Sequence, residues 1–255
     1  MKNIALLLLL LLLLSPNGYV NKSNIVIQYM KPESKSDEVV KRIIKDSDVN
    51  SIFLTLSQKY FPFNNKLIIQ YGGLEEPSYN PINNTINIPY SFFQRSASYF
   101  VGSKHQEMLN IEPQQGALDS LLHTLLHEAG HAFIAEQKLV ILGKEEDAVD
   151  DFATLLLLEY IEGGDNIAIN AAKMFSFESE HKPNYYDFGE FIGEHSFDLQ
   201  RYFSILCLVY GNQEIKHNNL LNEIEDEYLF DIKEYCKFRY EKTETNWNKY
   251  LINND

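Results

Sequence analysis

The sequence predicts an α+β fold that is mainly helical, with short strands early in the chain and a helical half that carries the chemistry. Three observations lead there. Short β-branched and aromatic runs bounded by turn residues occur before residue 90. From Gly116 onward, apolar residues recur at helical spacing in several long segments. One of those segments contains the pentapeptide His127-Glu128-Ala129-Gly130-His131. Taken in order, Asn24 to Met30 and Lys66 to Tyr71 read as strands, and Thr85 to Pro89 alternates enough to be a third. The turn signals Gly72-Gly73 and Asn80-Pro81 separate the second from the third. Asp37 to Tyr60 reads as helix with a break near Asp46-Ser47-Asp48. Helices follow at Ala117 to Lys138, Glu145 to Glu162, Ile167 to Phe175 and Ser196 to Tyr210, with at least one more between Ile224 and Tyr250. Glu178 to Gly189, polar and aromatic with Pro183, reads as a loop, and such loops often rim functional sites. No repeat or low-complexity linker forces a division, so residues 19–255 read as a single domain.

The HExxH pentapeptide sits in a stripe of Leu118, Leu121, Leu122, Leu125, Leu126, Ala129 and Phe133, the pattern of a buried amphipathic helix. Residues four apart lie one above the other on a helix. Both imidazoles can therefore reach one metal ion while Glu128 faces a water molecule. Chance alone would place such a pentapeptide in about 1 % of chains of this length, so the buried helix carries the argument. Gly130 leaves room for a neighbouring segment or a substrate to approach closely.

A catalytic zinc ion takes three protein ligands and an open position. His123 lies on the same face as His131, but eight residues span about 12 Å, too far for one ion, so packing or a supporting role suits it better. Glu146 and Asp150 open the next predicted helix as an ExxxD pair. That spacing lets Glu146 bind metal while Asp150 accepts a hydrogen bond from a ligand histidine. Glu145, whose i+4 residue is Val149, lacks such a partner and remains the alternative ligand. Acidic residues at a helix start also complement the macrodipole. That accounts for Glu145 and Asp147, but not for Asp150 and Asp151 one turn deeper, before an apolar segment where an unpaired carboxylate is costly.

At these residues the chain resembles the glutamate-zincins, the thermolysin-like clan in which HExxH is followed by ExxxD on the next helix. It is more closely similar to a family of secreted bacterial metallopeptidase-like proteins of unknown function. The resemblance rests on Leu125 to Ala132, Gly143 to Asp150, Glu194 to Arg201 and Ile205 to Gly211, the last two blocks having no assigned chemistry. Ala129 replaces a bulkier apolar residue, and the segment after Gly211 departs from the pattern. The resemblance implies a small antiparallel sheet ahead of the HExxH helix. Thr85 to Pro89 is then the candidate edge strand for an extended substrate, with an ordinary hairpin strand as the alternative.

With zinc on His127, His131 and Glu146, Glu128 would take the proton of a zinc-bound water, and hydroxide would attack a peptide carbonyl. A second donor normally helps stabilise the oxyanion. His195, just before a predicted helix, is the candidate; a surface or capping histidine is the alternative, and Tyr185 and Tyr186 are rivals. The expected partner is a peptide or protein substrate. Two alternatives stand beside a secreted zinc metallopeptidase: a non-catalytic secreted binding protein that retains a zinc site, and a zinc hydrolase acting on a non-peptide amide.

Residues 1–18 read as a secretory signal peptide: one lysine, an apolar run from Ile4 to Leu14, then Ser15-Pro16-Asn17-Gly18. The run is too short to span a bilayer comfortably. No A-x-A-like pair marks a cleavage point, so an uncleaved membrane anchor with the domain outside the cytosol is the alternative to a secreted or periplasmic protein. In such a compartment the only two cysteines, Cys207 and Cys236, are expected to form a disulfide, with two buried thiols as the alternative. Asp and Glu number 36 against 22 Lys and Arg, a balance that argues against nucleic acid and anionic membranes as partners.

Overall fold

The computed structural model describes residues 24–73, 76–101, 111–180 and 188–252. The expected signal peptide, Tyr185 and Tyr186 lie outside the described residues. The chain starts with β1 (Ile25–Tyr29), α1 (Lys35–Asp46), α2 (Val49–Tyr60) and β2 (Leu67–Tyr71). A capping box begins α1: Ser34 accepts from the Asp37 backbone N–H while the Asp37 carboxylate accepts from the Ser34 backbone N–H. Next come β3 (Ser78–Asn80), β4 (Thr85–Ile88) and α3 (Tyr90–Phe100). The sequence signals missed β3 and α3. Serine and aromatic residues are indifferent helix formers. The burial of Phe92, Phe93 and Phe100 holds α3 where propensity is weak.

The structure is mainly helical with a small sheet, as the sequence predicts, but the sheet is mixed. Its order is β1-β2-β4-β3, with β1, β2 and β4 parallel and only the β3–β4 hairpin antiparallel. The reason is connectivity: α1 and α2 carry the chain back across the sheet, the crossover that parallel neighbours require. This overturns the expected edge. Thr85–Ile88 is paired on both sides, and Pro89 ends it as the N-cap of α3; the edge strands are β1 and β3.

The second half comprises α4 (Pro113–Gln137), α5 (Glu145–Tyr160), α6 (Gly164–Glu180), a 3₁₀ turn (Phe188–Ile192), α7 (Asp198–Asn212) and α8 (Asp226–Trp247). The loop expected from Glu178 to Gly189 is corrected at both ends, since α6 continues to Glu180 and the 3₁₀ turn takes in Phe188 and Gly189; residues 181–187 lie outside the described residues. Central to this half is α4, which packs against β3, β4, α2, α3, α5 and α6. Leu121, Leu122, Leu125, Leu126, Ala129 and Phe133 are buried along it. Each fully buried leucine contributes about 1.5–3 kcal/mol, so the helix that bears the pentapeptide is rigidly seated. Gly130 has a packing role. A Cβ there would lie 2.9 Å from Val149 Cγ1 and 3.1 Å from Phe152 Cδ1, so the missing side chain lets α5 lie close against α4. None of the described helices is long and apolar enough to cross a membrane.

Cys207 and Cys236 form a disulfide that ties α7 to α8. Beside it the helices touch closely, since a Cβ at Gly211 would clash with the Cys236 carbonyl oxygen. With the cysteines 29 positions apart, reducing the bridge is expected to cost about 3–4 kcal/mol in the chain-entropy account. Denaturant unfolding with and without reductant, repeated on Cys207→Ser/Cys236→Ser, measures this. A midpoint indifferent to reductant would contradict it.

Candidate metal centre

The pentapeptide occupies the middle of α4, with His127 and Glu128 buried and His131 partly so. Because α5 closes on Gly130, its first turns face the histidines. Glu146 Oε2 lies 3.1 Å from His127 Nε2 and 3.4 Å from His131 Nε2. His195 arrives from the segment before α7, its Nε2 3.0 Å from the same oxygen. The Lys144 ammonium donates to the His195 carbonyl oxygen at 3.2 Å, tying that segment to the start of α5. Three imidazole nitrogens thus surround one carboxylate oxygen. That oxygen is buried and has no hydrogen-bond partner of good geometry.

The outer ring nitrogens are also partnered. His127 Nδ1 is 2.7 Å from Asp150 Oδ1, and His131 Nδ1 is 2.8 Å from Glu145 Oε1. A carboxylate at Nδ1 fixes the tautomer in which Nδ1 carries the proton and Nε2 presents its lone pair. Lone pairs that converge beside a buried, poorly satisfied carboxylate oxygen fit a cation. The donor set of imidazole nitrogens and one carboxylate suits zinc. Among the described residues, donor atoms of His127, Glu146 and His195 all lie within 4.8 Å of one another. His131 falls outside that tightest triplet, although its Nε2 faces the same Glu146 oxygen. It shares a helical face with His127, and the side chain of His195 is 56 % exposed.

Electrostatics follow from these contacts. Burial opposes charge on His127, but Asp150 and Glu146 outweigh it and bring its pKa to about 9. Burial likewise opposes ionisation of Glu146, yet the surrounding imidazoles hold its carboxyl far below the usual range. Metal binding at such a site displaces protons from the histidines. Burial raises the Glu128 carboxyl above its ordinary value, partly offset by His127 and His131. His123 is a core residue: Thr154 Oγ1 lies 3.2 Å from its Nε2, and burial pushes its pKa down to about 4.

Sequence reasoning missed two parts of the centre. Arg201 on α7 grips Asp150 through two bonds, Nε to Oδ2 at 2.7 Å and Nη2 to Oδ1 at 2.8 Å. Its guanidinium also lies 3.9 Å from the Phe175 ring centroid. The buried Asp150 signalled that a cation was needed, but only folding identifies which one. The other is the pairing of Glu145 with His131 Nδ1, which the sequence reading did not assign, although Val149 is indeed its i+4 residue. Asp151 faces away, where Arg239 of α8 donates to it at 2.6 Å.

A cavity of about 720 Å³ opens over the centre, walled by Ser78 and Tyr79 of β3, His127, Glu128 and His131 of α4, and Glu145 and Glu146 of α5. A second lobe of about 260 Å³ meets it at Glu128 and His195 and runs toward Phe92, Met174 and Phe175. A helix-borne histidine pair, a carboxylate from the next helix and an adjoining cleft define a candidate metal centre of the hydrolytic kind. The chain belongs to a protein family described as "Putative metallopeptidase", whose model matches residues 29–251. That membership points to a hydrolase that uses a metal ion. No curated protein and no solved structure matches the chain.

Proposed function

We propose that this protein is a zinc-dependent peptidase that works outside the cytosol, with His127, His131 and Glu146 as metal ligands and Glu128 as general base. The observation that carries this reading is the convergence of imidazole nitrogens on the buried Glu146 oxygen at the floor of an open cleft. Zinc, when bound, supplies Lewis acidity that makes water a better nucleophile and polarises a carbonyl. Glu128 takes the proton from the attacking water and hands it to the leaving amine. Asp150 and Glu145 hold the ligand imidazoles in register through their Nδ1 protons. His195 stands across the cleft, where its Nε2–H would donate to the developing oxyanion. The edge strand β3 lines the cleft and offers free backbone groups to an extended peptide. The disulfide supports an oxidising compartment, which fits a secreted or periplasmic protein, or one held outside by its N-terminus.

The nearness of His195 to Glu146 favours one rival, a closed four-ligand structural site in a non-catalytic protein. Metal analysis and peptide hydrolysis on the same preparations separate the two. The peptidase reading expects about one zinc per chain, hydrolysis abolished by a chelator, and metal lost in His127→Ala and in Glu146→Ala. His195→Ala should keep the metal and turn over slowly. Zinc unchanged in both His127→Ala and Glu146→Ala would overturn the centre. Zinc lost in His195→Ala, with no hydrolysis by the parent protein, would establish the structural site instead.

A further inference from the structure

Away from the metal centre, α7, α8 and the chain between them enclose a groove of about 650 Å³ that shares no lining residue with the cleft or its second lobe. Phe203 and Cys207 of α7 form one wall, Leu221 and Ile224 the next, and Tyr228, Ile232 and Tyr235 of α8 the third. Together with Arg239, the α8 residues recur at helical spacing, so they make one stripe about 16 Å long. The side chains of Tyr228 and Tyr235 are left 56 % and 54 % exposed along it. Single exposed aromatics scattered over a surface are ordinary. Two half-bare tyrosines on one stripe, facing a groove with an apolar lining, are a surface without its cover.

What covers it is limited by shape and by charge. Two of its walls are helices, whose interior backbone groups are already bonded, so an extended strand finds nothing there to pair with. Side chains presented by another helix, at intervals of three and four residues, fit such a groove. The one charged group in the lining is already paired, since the Arg239 guanidinium donates to Asp151 and to the Ser204 carbonyl oxygen, each at 2.6 Å. Beside the stripe, Glu227 and Asp231 stand one turn apart on α8, exposed, and neither carboxylate has a partner among the described residues. The helix macrodipole accounts for Glu227 in the first turn, but not for Asp231 in the second. The nearby ammonium groups do not neutralise them: Lys237 meets Glu214 and Glu234, Lys233 donates to the Asn218 carbonyl oxygen, and Lys242 lies at the far end, over the Phe238 ring. A second copy of this chain, with its formal net charge of −14, would bring like charge to the groove. We propose that the α7–α8 groove docks an amphipathic helix of a partner protein, apolar on the face that enters the groove and basic along the edge that meets Glu227 and Asp231. This docking does not depend on any chemistry at the metal centre.

The test uses the full chain carrying Glu128→Gln, so that peptides are not consumed, and labelled helical peptides of about 18 residues. Three peptides share one leucine stripe and carry lysine, glutamine or glutamate on its flanks; a fourth is a scrambled version of the lysine peptide. Anisotropy titrations should show the lysine peptide binding at least about tenfold more tightly than the glutamate and scrambled peptides. Tyr228→Ser/Tyr235→Ser should weaken it by a similar factor, with the thermal midpoint unchanged because both side chains are more than half exposed. Glu227→Gln/Asp231→Asn should lower the lysine peptide to the level of the glutamine peptide, whose own affinity stays as it was. This second variant decides the question even where the first fails to fold. Equal binding of the lysine and scrambled peptides, or parental binding by either folded variant, overturns the proposal. So does a dimer in sedimentation that Tyr228→Ser/Tyr235→Ser dissolves, which would make the groove an interface between copies. Tyrosine-dependent binding to neutral phosphatidylcholine vesicles, with no preference for the lysine peptide, overturns it as well and would make the groove a lipid contact.

Discussion

Glu128→Gln is expected to keep the metal and the fold and to lose peptide hydrolysis by about 10²- to 10⁴-fold, the range for removal of a general base. The amide fills the same space in the α4 wall of the cleft, so packing around it is preserved. It cannot accept the proton of the attacking water, so the chemical step loses its base. Stability gives an independent check. Burial raises the Glu128 carboxyl above its ordinary value, which means the folded protein disfavours its charged form. Sign matters here: a carboxyl raised on folding detracts from stability above its unfolded pKa, so neutral glutamine should leave the midpoint of unfolding unchanged or higher. Turnover, metal content and thermal unfolding measured together make the test. Activity within a few-fold of the parent, with metal retained, would mean that another group is the base.

Arg201→Met is expected to have the largest effect on the integrity of the centre. It removes the one partner among the described residues that grips both oxygens of the buried Asp150, and leaves that carboxylate against the His127 ring at 2.7 Å. Breaking a buried pair by deleting one member typically costs about 3–5 kcal/mol, because the other charge stays desolvated. Metal affinity should fall by about 10- to 100-fold, since Asp150 then orients His127 less firmly. Asp150→Ala should weaken metal binding over the same range. The double variant Arg201→Met/Asp150→Leu separates the two effects: it should recover much of the stability but none of the affinity. Arg201→Lys keeps the charge without the two-pronged grip and should fall between. Denaturant midpoints and zinc titrations decide it, and parental values of both in Arg201→Met would show that Arg201 has no part in the centre.

These expectations draw on the sequence and the structure unequally. The HExxH register was legible because helical periodicity is local: residues four apart share a face whatever the rest of the chain does. The same rule placed Glu146 and Asp150 on one face of α5 before any packing was known. It could not assign partners across helices. Asp150 serves His127 and Glu145 serves His131 only because α5 lies against Gly130 at one particular offset. In sequence, Glu145 reads as a first-turn acid or as the alternative metal ligand, and one helix alone offers no sign that it would instead pair with the ring of His131.

The sequence by itself determined the mainly helical second half, the helix that bears the histidines, and a cysteine pair able to form a bridge. All of these depend on periodicity and composition, which are properties of short stretches of chain. Only the tertiary structure decided the direction of the strands, the choice of β3 as the exposed edge at the cleft, the approach of His195, and Arg201 as the cation behind Asp150. Most of those join residues distant in the chain, 51 positions apart for Arg201 and Asp150. Such contacts form because desolvated charges must find partners within a packed core, and a partner at that separation leaves no periodic trace in the sequence.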